Sequence, residues 1–258
     1  VLYLFSIPVI SIVAALMSGS LLVGVAFFAV LSLWIGSGIF LVGIPFVSRP
    51  VTRVRTDESL VALTFDDGPH PVYTEKVLEI LAAHGAYATF FITAANAEKH
   101  PDIVKAVVAG GHDVGNHSTS HRHLLSLLSY RSQYEDIRTA QRIIERVSES
   151  APLFYRPPMG YKTPETFRAA GRVGLTVCGW DVKGMDTVLT DPKMIAALVV
   201  SRARRGSVIL LHDSGSLDGK SADRSATIKA LPRILSGLKK KGLRSVTLTD
   251  LMRRNTIK

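Results

Sequence analysis

Between residues 58 and 258, short apolar runs alternate with longer stretches of helical periodicity, and most runs stop at a side chain capable of chemistry. The runs are residues 60–65, 88–92, 114–116, 153–155, 175–180, 207–212 and a last one near 244–247. The helical stretches are 73–84, 101–109, 130–148, 163–172, 192–204 and 225–241. Strands separated by helices of this length pair in parallel through crossovers, so the pattern predicts an α/β domain rather than a sandwich. Asp66, His117, Arg156, the stretch 181–186 and His212 all follow strand ends. In a β/α barrel those ends share one rim, where residues distant in sequence meet.

A different kind of sequence precedes this domain. Residues 1–48 contain no Asp, Glu, Lys, Arg or His and are dominated by Leu, Val, Ile, Phe, Ala and Gly. A bilayer is crossed by roughly 20 such residues. The break Ser18-Gly19-Ser20, with Pro8 and Pro45 near the ends, points to two spans at about residues 2–17 and 21–44, or to one long tilted span behind an interfacial segment. The two-helix hairpin is the expected transmembrane anchor. A cleaved signal peptide calls for a basic start and a shorter apolar core, neither of which is present. Buried soluble helices are the plainer alternative, but a soluble domain rarely hides two charge-free helices in succession. Arg49, Arg53 and Arg55 follow directly, so residues 49–57 read as a basic juxtamembrane linker that marks a cytoplasmic flank or touches anionic headgroups. The expected setting is the cell membrane of a bacterial-type envelope, with the lipid bilayer as a partner.

Residues 58–258 are enough for a sizeable core without disulfides. Cys178 is the single cysteine and lies in an apolar run, which makes it a buried thiol rather than a nucleophile. The net charge of +10 comes from 31 basic and 21 acidic residues. No zinc-finger pattern and no aromatic-interleaved basic stretch accompanies it, which argues against nucleic acid; an anionic surface or polymer suits it better.

VALTFDDGPH, residues 61–70, sets two adjacent carboxylates at the end of an apolar strand, and HSTSH, residues 117–121, supplies two histidines four apart. One Asp and two His hold a divalent metal with positions left open for water, and the remaining Asp is a ready proton acceptor. On a helical turn, residues i and i+4 point the same way, so both imidazoles would reach one ion. Taken alone, DDGP reads equally as a capped turn. His112 and His123 are expected at surface or supporting positions, and His70 at the border of the mouth. Two-metal phosphatase chemistry calls for more ligands than the rim offers.

TFDDGPH, HSTSH, FYRPPMG, WDVKGMD and ILLHD follow one another in an order that resembles the five motifs of the polysaccharide deacetylase family, the NodB-homology carbohydrate esterases. The resemblance covers essentially residues 58–250. It implies an irregular (β/α)7 barrel, here preceded by the transmembrane segments, that removes N- or O-acetyl groups from chitin-like, peptidoglycan or related sugars. It also implies a divalent metal, zinc in the first place, with cobalt, manganese or nickel as alternatives. Asp67 would be the metal carboxylate beside His117 and His121, and Asp66 the general base. Arg156 would pair with Asp66, and the backbone N–H of Met159 would meet the oxyanion. His212 would be the general acid, its tautomer and pKa set by Asp186, or by Asp181 in its place. Leu210 would line the acetyl methyl pocket. Many relatives carry an aromatic residue where Met159 stands and a Trp where Thr187 stands; Trp180 is the candidate to restore some of that apolar surface. Asp213 is expected to cap the loop 214–220.

The implied function is metal-dependent removal of N-acetyl groups from amino sugars of an envelope polysaccharide or a lipid-linked glycan. The partner is then a carbohydrate or glycolipid. Two alternatives are a deformylase or other amidase acting on a lipid-linked amino sugar, and an inactive carbohydrate-binding barrel.

Overall fold

The computed structural model describes residues 49–215 and 223–254, together with fragments of a helical stretch between residues 22 and 33. Its centre is β1 (Leu60–Asp66), in which every residue is buried. A strand covered on both faces reads as a continuous apolar run, and LVALTF is one. Parallel to it lie β2 (Ala88–Ile92) on one side and β7 (Val208–His212) on the other. The sheet continues through β3 (Asp113–Asn116), β4 (Phe154–Tyr155) and β5 (Thr176–Val177) beyond β2, and through β6 (Val182–Lys183) beyond β7. A short β8 (Arg244–Ser245) pairs with the first residues of β1.

Helices cover the outer face: α1 (Tyr73–Ala83), α2 (Ala94–Lys99), α3 (Pro101–Ala109), α4 (Tyr130–Ser148), α5 (Pro164–Arg172), α6 (Pro192–Arg202) and α7 (Ser225–Lys240), while α8 (Leu248–Arg253) packs against the inside of the curl. The largest apolar cluster joins this layer to the outward residues of the strands, among them Val61, Leu63, Phe65, Phe90, Ile209 and Leu211. Inward residues Leu60, Ala62, Phe91, Cys178 and Val208 fill the inside of the curl with the help of Leu248 and Leu251 from α8.

The alternation of strands and helices translates into parallel crossovers, and the irregular (β/α)7 barrel expected takes the form of a curled parallel sheet with eight strands in place of seven. Eight short strands form a curled sheet whose edge strands, β5 and β6, do not pair with each other. Residues 51–54 run across that opening. Val51 donates its N–H to the Val177 carbonyl at 2.9 Å and accepts from Gly179 at 2.9 Å, while Val54 donates to the Gly206 carbonyl at 2.9 Å and is itself buried. Within the basic segment 49–57, Val51 and Arg53 form isolated bridges with Cys178 and Ser207, so the segment pairs as strand does. The strand expected over 175–180 is shorter, ending in β5 and the bridge at Cys178, and a second strand, β6, follows beyond Asp181, whose side chain accepts the N–H of Val208. The short helices α2 and α8 lack an apolar period long enough to read; Thr93 and Thr247 cap them by accepting from Asn96 and Asp250.

Among the described residues, no helix is long and apolar enough to cross a membrane. The anchor expected in residues 1–48 falls mostly outside the described residues. The lack of such a helix among the described residues corrects the expected transmembrane segments, bilayer partner and membrane localisation. Hydropathy measures a preference for apolar surroundings, and such a preference does not by itself make a span.

Candidate active site

Asp66 ends β1 level with Phe91 of β2 and His212 of β7, so the register alone brings the first carboxylate beside the imidazole. The next residue leaves the strand in a left-handed conformation, with φ of 76° at Asp67. Asn96 of α2 donates to the Asp67 carbonyl at 2.8 Å, and the Gly68 carbonyl accepts from Thr93. Beneath this turn sits Asp213, which is buried and accepts from Thr74 at 2.5 Å instead of capping the loop that follows it. A Cβ at Gly68 would overlap the Asp213 carboxylate, so glycine is required there by close approach. Burial, with help from the nearby Asp67 charge, pushes the Asp213 carboxyl up to about 7.

The two histidines of HSTSH converge, but through a turn rather than a helix. Ser118 and His121 both have positive φ, 73° and 54°. Asn116 accepts from the Ser118 N–H at 2.9 Å, Ser118 Oγ accepts from the His121 N–H at 3.0 Å, and Asp136 of α4 accepts from the Thr119 N–H at 3.0 Å. These bonds satisfy the turn and fix where both rings point.

Asp67 Oδ1 lies 3.4 Å from His117 Nε2 and 3.3 Å from His121 Nε2. That oxygen is buried and has no hydrogen-bond partner. His117 Nδ1 is 2.7 Å from the Arg156 carbonyl, which fixes the proton on Nδ1 and turns the Nε2 lone pair towards Asp67. Burial and the neighbouring His117 bring His121 down to about 4, so its ring is neutral and free to ligate. Burial pushes Asp67 upward, but His117 and the other imidazoles hold it below the ordinary carboxylate range. Three convergent ligand atoms, one of them an orphaned carboxylate oxygen, fit a divalent metal.

Arg156 is fully buried beside this cluster. Its Nη1 donates to Asp66 Oδ1 and to Thr64 Oγ1, both at 2.7 Å, and its Nη2 donates to the Gly179 carbonyl at 2.8 Å. The guanidinium lies 4.0 Å above the Phe91 ring. Burial opposes its charge, but Asp66 raises its pKa still further. His212 Nδ1 meets Asp186 Oδ1 at 3.0 Å, while Asp186 Oδ2 accepts from the His212 N–H at 2.8 Å and from Thr227 of α7 at 2.9 Å. Burial alone would depress the imidazole, yet Asp186, joined by Asp67 and Asp66, raises it to about 9. Asp181 is not its partner: it bonds Ser207 and the Val208 N–H at the other end of the strand.

A cavity of about 270 Å³ opens over these groups, lined by Asp66, Asp67, His117, His121 and His212 and walled by Met159, Trp180 and Leu210. Met159 has φ of 60°, so the turn that carries its N–H is held in a conformation that non-glycine residues rarely adopt.

A family profile described as polysaccharide deacetylase matches residues 53–178. A peptidoglycan-N-acetylglucosamine deacetylase of Bacillus cereus is 37% identical over 203 residues, covering 78% of this chain and 92% of the relative. The chain belongs to the polysaccharide deacetylase family. A chitooligosaccharide deacetylase of Sinorhizobium fredii is 34% identical over 199 residues, covering 75% of the chain and 92% of the relative. Among solved structures, the Bc1960 peptidoglycan N-acetylglucosamine deacetylase in complex with an N-hydroxybenzamide superposes with a TM-score of 0.73 at 33% identity, covering 80% and 94% of the two chains. With a complete ligand cluster at its rim, this deacetylase is a metal-dependent enzyme acting on N-acetylated amino-sugar polymers. The family match begins at residue 53, inside the segment that read as a linker.

Sequence reasoning missed several residues of the deacetylase site. Lys183, Thr187, Gly160 and Arg224 also line the cavity, as does His123, whose ring sits edge-on to His121 at 5.3 Å. Alternation along β6 was the one available signal for Lys183. His70, expected at the mouth, instead accepts from the N–H groups of Val72 and Tyr73 at the start of α1. His112 accepts from the Ala88 N–H and packs edge-on against Phe90, away from the cavity. The loop 214–220 lies mostly outside the described residues.

Proposed function

We propose that this enzyme removes the N-acetyl group from amino sugars of peptidoglycan-type glycans, with zinc in the Asp67–His117–His121 cluster. One carboxylate and two imidazoles with an open position suit zinc, which when bound would polarise the amide carbonyl and acidify water. Asp66 is the base that accepts the proton of the attacking water, as it donates no lone pair to the cluster and is oriented by Arg156. The Met159 N–H faces the negative charge that develops on the carbonyl oxygen. His212, charged at neutral pH beside Asp186, gives its proton to the departing amine. Leu210 and Trp180 bound the space for the acetyl methyl group.

The observation that carries this reading is the division of labour between two adjacent carboxylates. Asp67 lies between two imidazoles, whereas Asp66 is held by Arg156 at 2.7 Å. An inactive binding barrel would have no need to keep the second carboxylate separately oriented. The test is acetate and formate release by the zinc-reconstituted chain from chitooligosaccharides and peptidoglycan fragments. Acetate is expected, and Asp66→Asn is expected to lower the rate by about 10²- to 10⁴-fold with unchanged metal content. Formate as the sole product would point to the deformylase reading, and no release of either acid from a folded, metal-loaded protein would overturn hydrolysis of these substrates.

A further inference from the structure

Three carboxylates of the site are each held against a basic side chain, while Asp213 beneath the turn bonds Thr74 instead. Asp66 is matched to Arg156, Asp67 to the imidazole cluster and Asp186 to His212. Two cations, Lys183 and Arg224, line the cavity without an ion pair among the described residues, and of these Arg224 is held by backbone carbonyls. Strand alternation turns Val182 outward into the apolar layer with Ile195 and Val199 of α6, and therefore turns Lys183 inward, level with Leu210 of the neighbouring strand. The half-buried Lys183 lines the cavity and forms no ion pair among the described residues. Its Nζ lies 5.9 Å from the Trp180 ring centroid, at the outer reach of a cation–π contact. The other lining cation, Arg224, directs Nε to the Ser214 carbonyl and Nη1 to the Asp223 carbonyl.

Turning an ammonium into a cavity costs solvation, and an apolar residue would have filled the same position beside Leu210 without that cost. The arrangement makes sense when a ligand supplies the missing negative charge. We propose that Lys183 determines specificity by receiving a carboxylate carried on the glycan close to the acetamido group, so that acidic amino sugars are preferred over neutral ones. The inference rests on the deacetylase reading above. The chemistry suits a lactyl ether on the sugar, whose carboxylate lies within a few bonds of the acetylated nitrogen, and equally a terminal carboxylate of a short attached peptide.

Acetate release by the full chain is measured on three glycans: chitotetraose, a muramyl-containing tetrasaccharide with free lactyl carboxylates, and the same tetrasaccharide with those carboxylates converted to methyl amides. The wild-type protein is expected to prefer the free acid over both neutral glycans. Lys183→Met is expected to lower the ratio of kcat/KM for the free acid over chitotetraose by about 10- to 100-fold, the value of a charge-assisted hydrogen bond. Lys183→Arg is expected to restore much of that ratio, which a merely structural defect would not allow. A fourth substrate carrying a peptide carboxylate in place of the free lactyl group separates the two sources: preference for it alone assigns Lys183 to the peptide. An unchanged ratio in Lys183→Met, with chitotetraose still deacetylated, overturns the inference and leaves the function standing. Absence of acetate from every glycan with wild-type protein overturns the function itself, and this inference with it.

Discussion

At the scale of single residues, the site is organised by the pairing of buried charges. Arg156 has no exposed surface, so its charge and that of Asp66 are sustained by each other and by Thr64, Gly179 and the Phe91 ring. Replacing Arg156 by Met strands a buried carboxylate and is expected to destabilise the fold by about 3–5 kcal/mol, measurable by denaturant unfolding, while removing activity. Lysine is a poor substitute, because one ammonium does not reproduce the fork that serves Asp66 and Gly179 together. The His212–Asp186 pair carries a pH signature. The folded imidazole titrates at about 9, above the unfolded value of about 6.5. Its stabilising contribution is therefore complete below pH ~6.5 and is lost as pH rises through about 9. Imidazole NMR of the metal-free protein is expected to show this late titration, and Asp186→Asn to bring it down. A divalent ion in the neighbouring cluster adds positive charge, so metal loading is expected to lower the His212 midpoint; a midpoint near 6.5 without metal would refute the assignment.

At the scale of elements, the strands deliver the chemistry and the turns aim it. The motifs placed Asp66, His117, Arg156 and His212 at strand ends, and that placement is what the structure shows, because a period of alternating strands and helices is legible from apolar spacing alone. The aim was not legible. Convergence of His117 and His121 rests on positive φ at Ser118 and His121 and on backbone N–H groups donating to Asn116, Ser118 and Asp136, none of which has a helical period. Ser118→Ala leaves the His121 N–H without its acceptor and is expected to raise the apparent zinc dissociation constant by about 10- to 100-fold, measured by competition with a chelating dye. If affinity were unchanged, the turn would not be what orients the ring. The choice between Asp186 and Asp181 as partner of His212 was likewise open until the strand register set Asp181 beside Val208 and left Asp186 facing His212.

At the scale of the whole molecule, the opening between β5 and β6 links the amino-terminal segment to the site. Residues 51–54 bond Val177, Gly179 and Gly206, and the Val51 carbonyl also accepts from the Cys178 thiol at 3.4 Å. Cys178 in turn lies 3.6 Å from Arg156 Nη2. Removing residues 49–57 is expected to lower stability by about 3 kcal/mol, from the lost burial of Val54 and three backbone hydrogen bonds. Comparison of thermal unfolding for chains starting at residues 49 and 58 tests it; equal stability would show that the segment only rests on the sheet.

The amino-acid sequence by itself determined the α/β alternation, the strand-end location of the reacting groups and the kinds of ligand offered to a metal. These properties are local: they depend on apolar period and on residue type within a few positions. The tertiary structure decided between Asp186 and Asp181 as the group that steadies His212, how residues 51–54 complete the sheet, and that Lys183 faces the cavity without an ion pair among the described residues. Each of those depends on register and burial between segments far apart in the chain, where the free energy of a charge is set by what surrounds it.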